Sequence, residues 1–171
     1  MSRKITALVV GAMVAPLISV ATAGTASAHG YVSNPPSRQA QCAAETISCG
    51  DIKYEPESVE GPKGLKSCNG GDARWADLND DGKGWTVSRV GQQATFTWSI
   101  KKGAEHATTN WEYWIGGTRV ANFNYGGKQP PLTLSHSVPL TGYTGKQKVL
   151  AVWNVDDTAF AFYSCIDVNI G

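Results

Sequence analysis

Three histidines, His29, His106 and His136, are the only imidazoles in the 171-residue chain, and the first has a chemical option that the others lack. It directly follows Ala26-Ser27-Ala28, which closes an N-terminal stretch of Arg3 and Lys4, an apolar run from Ile5 to about Val20, and small residues. That is the layout of a secretory signal peptide. Cleavage after Ala28 makes His29 the first residue of the mature chain. A terminal histidine carries two nitrogens on one residue, the α-amine and ring Nδ1, which can close a chelate ring on a metal. The amine's pKa, about 7.7 to 8.0, lets a metal displace its proton near neutrality.

A second nitrogen source is then required. His106 lies in Lys101-Lys102-Gly103-Ala104-Glu105-His106-Ala107-Thr108-Thr109, just after a turn and at the start of a strand pattern, where a rigid scaffold presents functional side chains. His136 sits in the middle of an alternating run, where a structural or hydrogen-bonded role is the preferred reading. If the first strand and the strand after His106 end at one edge, the amine and ring of His29 with the ring of His106 give three nitrogens in a T. Tetragonal nitrogen ligands favour copper(II), whereas zinc prefers a tetrahedron and has no redox chemistry. Both methionines, Met1 and Met13, fall in the signal, so the mature chain lacks the thioethers that a copper(I) carrier uses.

The elements that must position these residues follow from pattern and composition. Without the signal the chain suffices for one domain with a core, not two. Loss of Arg3 and Lys4 leaves the 15 basic residues one short of the 14 acidic ones, a balance that predicts neither nucleic-acid nor membrane partners. No second long apolar segment follows Val20, so an exported, extracellular protein is expected. Gly30-Tyr31-Val32 can form a first strand that Ser33-Asn34-Pro35-Pro36 stops. From Ser37 to about Gly91 no alternation is sustained, which predicts a functional insertion of loops and short helices, with Asp72 to Leu78 its best helical segment.

Alternation then begins at Ala94–Ile100, Thr109–Ile115 and Leu132–Val138, and apolar runs follow at Lys148–Trp153 and Ala161–Val168. The expected fold is all-β, an immunoglobulin or fibronectin type III antiparallel sandwich with the insertion after its first strand. Trp85, Trp98, Trp111 and Trp114 are assigned to its core and Trp75 to packing in the insertion, while Tyr54, beside Pro56, is placed on the surface. Four cysteines in an oxidising compartment predict two disulfides. Three pairings are open, of which Cys42 with Cys49 and Cys68 with Cys165 is favoured. Asp77 to Gly82 matches half of a calcium loop, but position twelve is Ser88 rather than Glu, so a polar turn is the preferred reading.

His29-Gly30-Tyr31, the run Tyr54 to Gly61, Ala104-Glu105-His106-x-Thr108-Thr109-x-Trp111, and Ala151-Val152-Trp153 leading to Ala161-Phe162-Tyr163-x-x-Ile166-Asp167-Val168-Asn169 together resemble the bacterial lytic polysaccharide monooxygenases of auxiliary activity family 10. The resemblance implies a monomeric, secreted enzyme with one copper ion that cleaves crystalline polysaccharide oxidatively. Chitin is preferred over cellulose, with C1 oxidation and an external reductant. His29 and His106 would be the copper ligands. Phe162 and Ala104 would lie at the axial sides, and Glu60 would help position the oxygen species. Tyr54, Glu55 and Asp157 would face the polymer, and Trp153 would be a core aromatic near the copper that could carry electrons.

Two departures bear on substrate: Phe160 stands where chitin-active members often have Asn, and Trp114 and Leu132 are joined by a compact loop. Two other readings use the same residues, a non-catalytic chitin- or cellulose-binding module and an exported copper-binding protein. The intact set of His29, His106 and Phe162 argues against the first, the lack of methionine and the long insertion against the second. Hydrolysis by paired carboxylates is weaker still, since Glu55, Glu57 and Glu60 cluster without a second glycosidase motif.

Overall fold

A computed structural model describes residues 28–171; of the expected signal, residues 1–27 lie outside the described residues. Nine strands are described: β1 (Gly30–Asn34), β2 (Glu60–Pro62), β3 (Ser88–Val90), β4 (Gln93–Ile100), β5 (Thr108–Ile115), β6 (Thr118–Lys128), β7 (Thr133–Pro139), β8 (Gly145–Val155) and β9 (Phe160–Ile170). They form two sheets. One has the order β1-β4-β7, the other β2-β9-β8-β5-β6, with β3 also paired to β9. All pairings are antiparallel except that of β3 with β9. The expected sandwich is therefore present, with one parallel strand added on the edge of β9 that β2 also uses.

Period-two alternation explains the inner faces. Phe96, Trp98 and Ile100 of β4 and Trp111, Tyr113 and Ile115 of β5 point inward and are buried, while the residues between them are more exposed. The apolar runs in β8 and β9 do not alternate because the sheet is covered on both sides. The insertion packs Ile52, Val59, Trp75, Leu78 and Trp85 onto Leu150, Val152, Ala161, Tyr163 and Cys165 of the outer face. Cys42–Cys49 and Cys68–Cys165 are both formed, as favoured from sequence, and the second ties the insertion to β9.

The insertion is more structured than its composition suggests. It contains α1 (Arg38–Ala43), 3-10 turns at Asp51–Tyr54 and Ala73–Asn79, and both short strands β2 and β3. Helix α1 begins at Ser37, whose side chain accepts a hydrogen bond from the Ala40 amide. Its inward face is polar. Arg38 reaches Asp167 and Asp81, and Gln39 Nε2 donates to the Tyr163 carbonyl and Ser164 Oγ at 2.8 Å each. Asp77 accepts from the Gly50 amide and Lys83, Asp80 from the Gly82 amide, and Asp81 from Arg38 and Lys148. The half-motif for calcium is thus a polar turn whose carboxylates diverge onto separate donors.

Candidate metal centre

His29 immediately precedes β1, and its backbone is held from two sides. The Lys101 amide donates to the His29 carbonyl at 2.9 Å, and the Gly30 amide donates to the Glu57 carbonyl at 3.0 Å. Gly30 makes this seat tight: a Cβ there would lie 2.9 Å from Ile100 Cδ1, 3.1 Å from Trp153 Cζ3 and 3.2 Å from the Ser99 carbonyl oxygen. His106 belongs to the loop between β4 and β5. The Ala104 amide closes that loop on the Lys101 carbonyl, and Thr108 Oγ1 donates to the His106 carbonyl at 3.0 Å. Since Lys101 also bonds His29, one turn serves both histidines.

Glu60, on β2, lies opposite Phe162 of β9, which in turn faces Trp153 of β8. Burial pushes the Glu60 carboxyl above the ordinary carboxylate range, against the opposing pull of both His29 and His106. The two histidines therefore act on the same half-buried acid. Glu57 goes the other way: burial alone would raise it, but a 2.8 Å hydrogen bond from Lys101 Nζ, its own backbone amide and the charges of Lys101 and His29 hold it low. Phe162 is 1% exposed, with its ring 6.3 Å from that of His29. Ala104 is buried in the Lys101 turn.

Asp157 is where sequence reasoning saw only part of the arrangement. Its carboxylate lies 3.2 and 3.1 Å from His106 Nδ1, so it contacts the candidate ligand as well as lining the surface. The support continues outward. The Asp156 amide donates to the Ala107 carbonyl, and Thr109 Oγ1 donates to Asp156 Oδ1 at 2.8 Å. The signal in the sequence was the Asp156-Asp157 pair just before the last strand, readable only once that loop is known to meet the His106 loop.

The surroundings are open rather than pocketed. Tyr54 is 72% and Phe160 44% exposed, and Glu55, next to Tyr54 in sequence, is also exposed. A cleft of about 370 Å³ opens beside Arg38, Asp81 and Trp85 and includes neither His29 nor His106. The donor set fits copper. Nδ1 of His106 is turned to a carboxylate, which leaves Nε2 for a metal. Among the described residues no three His, Cys, Asp or Glu side chains converge, so a third donor beside two imidazoles must come from a group other than these side chains. The α-amine of a processed His29 is such a donor.

A two-sheet sandwich that sets one histidine beside its first strand and a second on a neighbouring loop defines a β-sandwich protein with a candidate metal site, and comparison identifies its family. The chain belongs to the lytic polysaccharide mono-oxygenase family, whose model, described as cellulose-degrading, matches residues 29–168. It is similar to a lytic chitin monooxygenase of Streptomyces ambofaciens, 60% identical over 167 residues that cover 97% of this chain and 96% of the relative. Among solved structures it is similar to a lytic polysaccharide monooxygenase of Jonesia denitrificans, with a TM-score of 0.79 and 43% identity over 84% of this chain and 100% of that one. A Bacillus amyloliquefaciens protein solved in complex with Cu(I) matches with a TM-score of 0.67 and 28% identity, over 84% of this chain and 100% of that one. The protein is a copper-dependent polysaccharide monooxygenase.

Proposed function

We propose that the chain is secreted, cleaved after Ala28, and binds one copper ion through the α-amine and ring of His29 and Nε2 of His106, to oxidise chitin at C1. The observation that carries this reading is that the Lys101 turn seats both histidines, with Asp157 on Nδ1 of His106 and the buried Phe162 ring 6.3 Å from that of His29. The start of the family match at residue 29 supports the cleavage site. The 60% identity to a lytic chitin monooxygenase supports chitin over the cellulose of the family description.

Bound copper supplies the oxidising power needed to break a C–H bond next to the glycosidic oxygen. The chain's own residues do the rest. Asp157 fixes the His106 ring with its proton on Nδ1. Phe162 has no donor atom and excludes water from one side of His29. Glu60, with its pKa raised by burial, can hold and release a proton closer to neutrality than an exposed carboxylate. Tyr54 and Phe160 present apolar faces to the polymer, and Glu55 adds a hydrogen-bonding edge.

The test is mass spectrometry of soluble products after the processed, copper-loaded protein acts on β-chitin with ascorbate, beside a His106→Ala control. Aldonic-acid chito-oligosaccharides that need copper and reductant, and vanish in the control, are the expected result. Oxidised products from cellulose alone would overturn the substrate. Products that survive the control would overturn the role of His106.

A further inference from the structure

The three-stranded sheet of β1, β4 and β7 contains no Lys, Arg, Asp or Glu, in a chain that has 15 basic and 14 acidic residues. Its outward positions carry hydroxyls instead. On β4 and β7 these stand in pairs across the strands, Thr95 opposite Ser137, Thr97 opposite Ser135 and Ser99 opposite Thr133. Strand β1 extends the last pair with Tyr31, opposite Ser99. Ser33 Oγ, also on β1, donates to the Thr97 carbonyl at 3.2 Å, and Thr97 Oγ1 and Ser135 Oγ share a 2.9 Å hydrogen bond in which either can donate. Neighbouring strands lie about 4.8 Å apart and like-facing residues about 6.7 Å along a strand, so the hydroxyls form a regular array. Thr95, Thr133, Ser135 and Ser137 are exposed, and Thr97, Ser99, Tyr31 and Ser33 are half-buried.

This composition narrows what the face can meet. Edge strands ordinarily carry charges, Lys above all, that block pairing with other chains. Strand β6, at the edge of the other sheet, has Arg119 and Lys128, whereas β1 and β7, the edges of this one, have none. A nucleic acid needs cations, and a protein interface is anchored on aromatic or Arg side chains, of which this face offers only Tyr31. An uncharged, hydroxyl-rich lattice is its chemical complement. Each Ser or Thr hydroxyl turns to donate or accept, no charge has to be stripped of water, and short side chains lose little rotamer freedom. The face is also continuous with the metal centre. The Ile100 amide at the end of β4 donates to the Leu132 carbonyl at 2.8 Å, and the next amide, of Lys101, donates to the His29 carbonyl. The row of Tyr31, Ser99 and Thr133 is therefore the one nearest the histidines, and Leu132, 42% exposed, stands at that corner. The other rows lead away along the strands.

We propose that the outward face of β1, β4 and β7 is a second, non-catalytic docking surface for crystalline chitin, used together with the polymer-facing end at His29. The identity of the occupant rests on the chitin reading above. The end and this side wall meet at the Tyr31 row, so both touch polymer at once where a crystal presents a step. The end then sits on the tread, and the hydroxyl rows lie against the riser. Contact through the side wall places the histidines beside chains at a step edge. It also adds affinity without a separate binding domain, because the second contact is made by a molecule that the first already holds.

The test is adsorption of the processed, metal-free protein to β-chitin and to microcrystalline cellulose, so that neither copper binding nor oxidation enters. Ser135→Asp with Ser137→Asp puts two short carboxylates, which only accept, into the array. Affinity for β-chitin should fall by about tenfold or more, while the melting temperature, and the copper(II) affinity once metal is restored, stay unchanged. Ser135→Thr should keep full chitin affinity, as should Asn122→Asp, which adds the same charge at an exposed position of β6. If the Asp pair does not fold, Ser135→Ala with Ser137→Ala replaces it, with an expected loss of about fivefold. Chitin affinity that is unchanged in the folded double variant, or lowered equally by Asn122→Asp, overturns the proposal, and so does a loss confined to cellulose. Ice-crystal shaping that the Asp pair abolishes while chitin adsorption persists would overturn it in favour of ice. Tyr54→Ala tests the histidine end separately. No loss in that variant beside a loss in the Asp pair would remove Tyr54 from the polymer contact and support the side face.

Discussion

Nδ1 of His106 lies 3.1 Å from Oδ2 and 3.2 Å from Oδ1 of Asp157. A carboxylate only accepts, so the contact keeps the ring proton on Nδ1 and leaves the Nε2 lone pair for a metal. Replacing Asp157 by Ala frees both tautomer and ring orientation. Copper(II) affinity, measured by competition titration, should fall about 10- to 100-fold. Because Asp157 is half exposed, the metal-free protein should keep its melting temperature. Unchanged affinity with weakened chitin binding would confine Asp157 to the polymer surface.

Ala28 adjoins the proposed terminal nitrogen. A chain produced with Ala28 retained carries its free amine one residue too early and offers a peptide nitrogen at His29 instead. Copper(II) affinity should drop by about a hundredfold or more, with a changed copper resonance spectrum, because the chelate ring is lost. The thermal stabilisation that added copper gives the processed chain should shrink accordingly. Full affinity with Ala28 retained would exclude the amine as a ligand.

The proposed ligands are legible in the sequence because histidine is rare here and its two partly exposed examples sit at a strand start and a strand-flanking turn. The long strands β4, β5 and β7 were legible because each alternates over seven or eight residues. Strand β6 was not; the stretch between Trp114 and Leu132 was read as a compact loop. It lies at the edge of its sheet, so Val120, Phe123 and Tyr125 are only partly buried, and Gly126-Gly127 interrupts the pattern. Helix α1 escaped notice because its buried residues include Arg38, Gln39 and Gln41, so no apolar period marks it. The three-residue strands β2 and β3 are too short to alternate. Glu60 was therefore placed from family resemblance, and its link to Phe162 needed the register of β2 on β9.

His136 gives the protein a pH-dependent stability. Its folded-state pKa, pushed by burial to about 4, lies below the ordinary value near 6.5. Between those values the unfolded chain takes up a proton that the folded one does not. The contribution is complete above about pH 6.5 and is lost as pH falls toward 4, amounting to about 3 kcal/mol at most. Denaturant unfolding from pH 7 to 4 should show a steeper loss for the unsubstituted protein than for His136→Gln. Parallel profiles would mean that His136 titrates normally when folded.

Arg38 secures the insertion that carries Glu60 and Tyr54. It is 1% exposed, with Nε and Nη2 on Asp167 at 2.8 and 2.9 Å, Nη2 also on Asp81 at 2.7 Å, and Nη1 on the Leu78 carbonyl at 2.8 Å. Its guanidinium also lies 5.1 Å from the Trp85 ring. Arg38→Met would leave the Asp167 carboxylate, 17% exposed, without its bidentate partner. Stability should fall by about 3 to 5 kcal/mol, read as a shift in denaturant midpoint. Much of that cost comes from the stranded charge, so adding Asp167→Leu should recover part of it. If the double variant is no more stable than Arg38→Met, the loss comes instead from the Leu78 carbonyl and the packing on Trp85. Arg38 touches neither histidine loop, so copper affinity of the folded variant should match that of the unsubstituted protein.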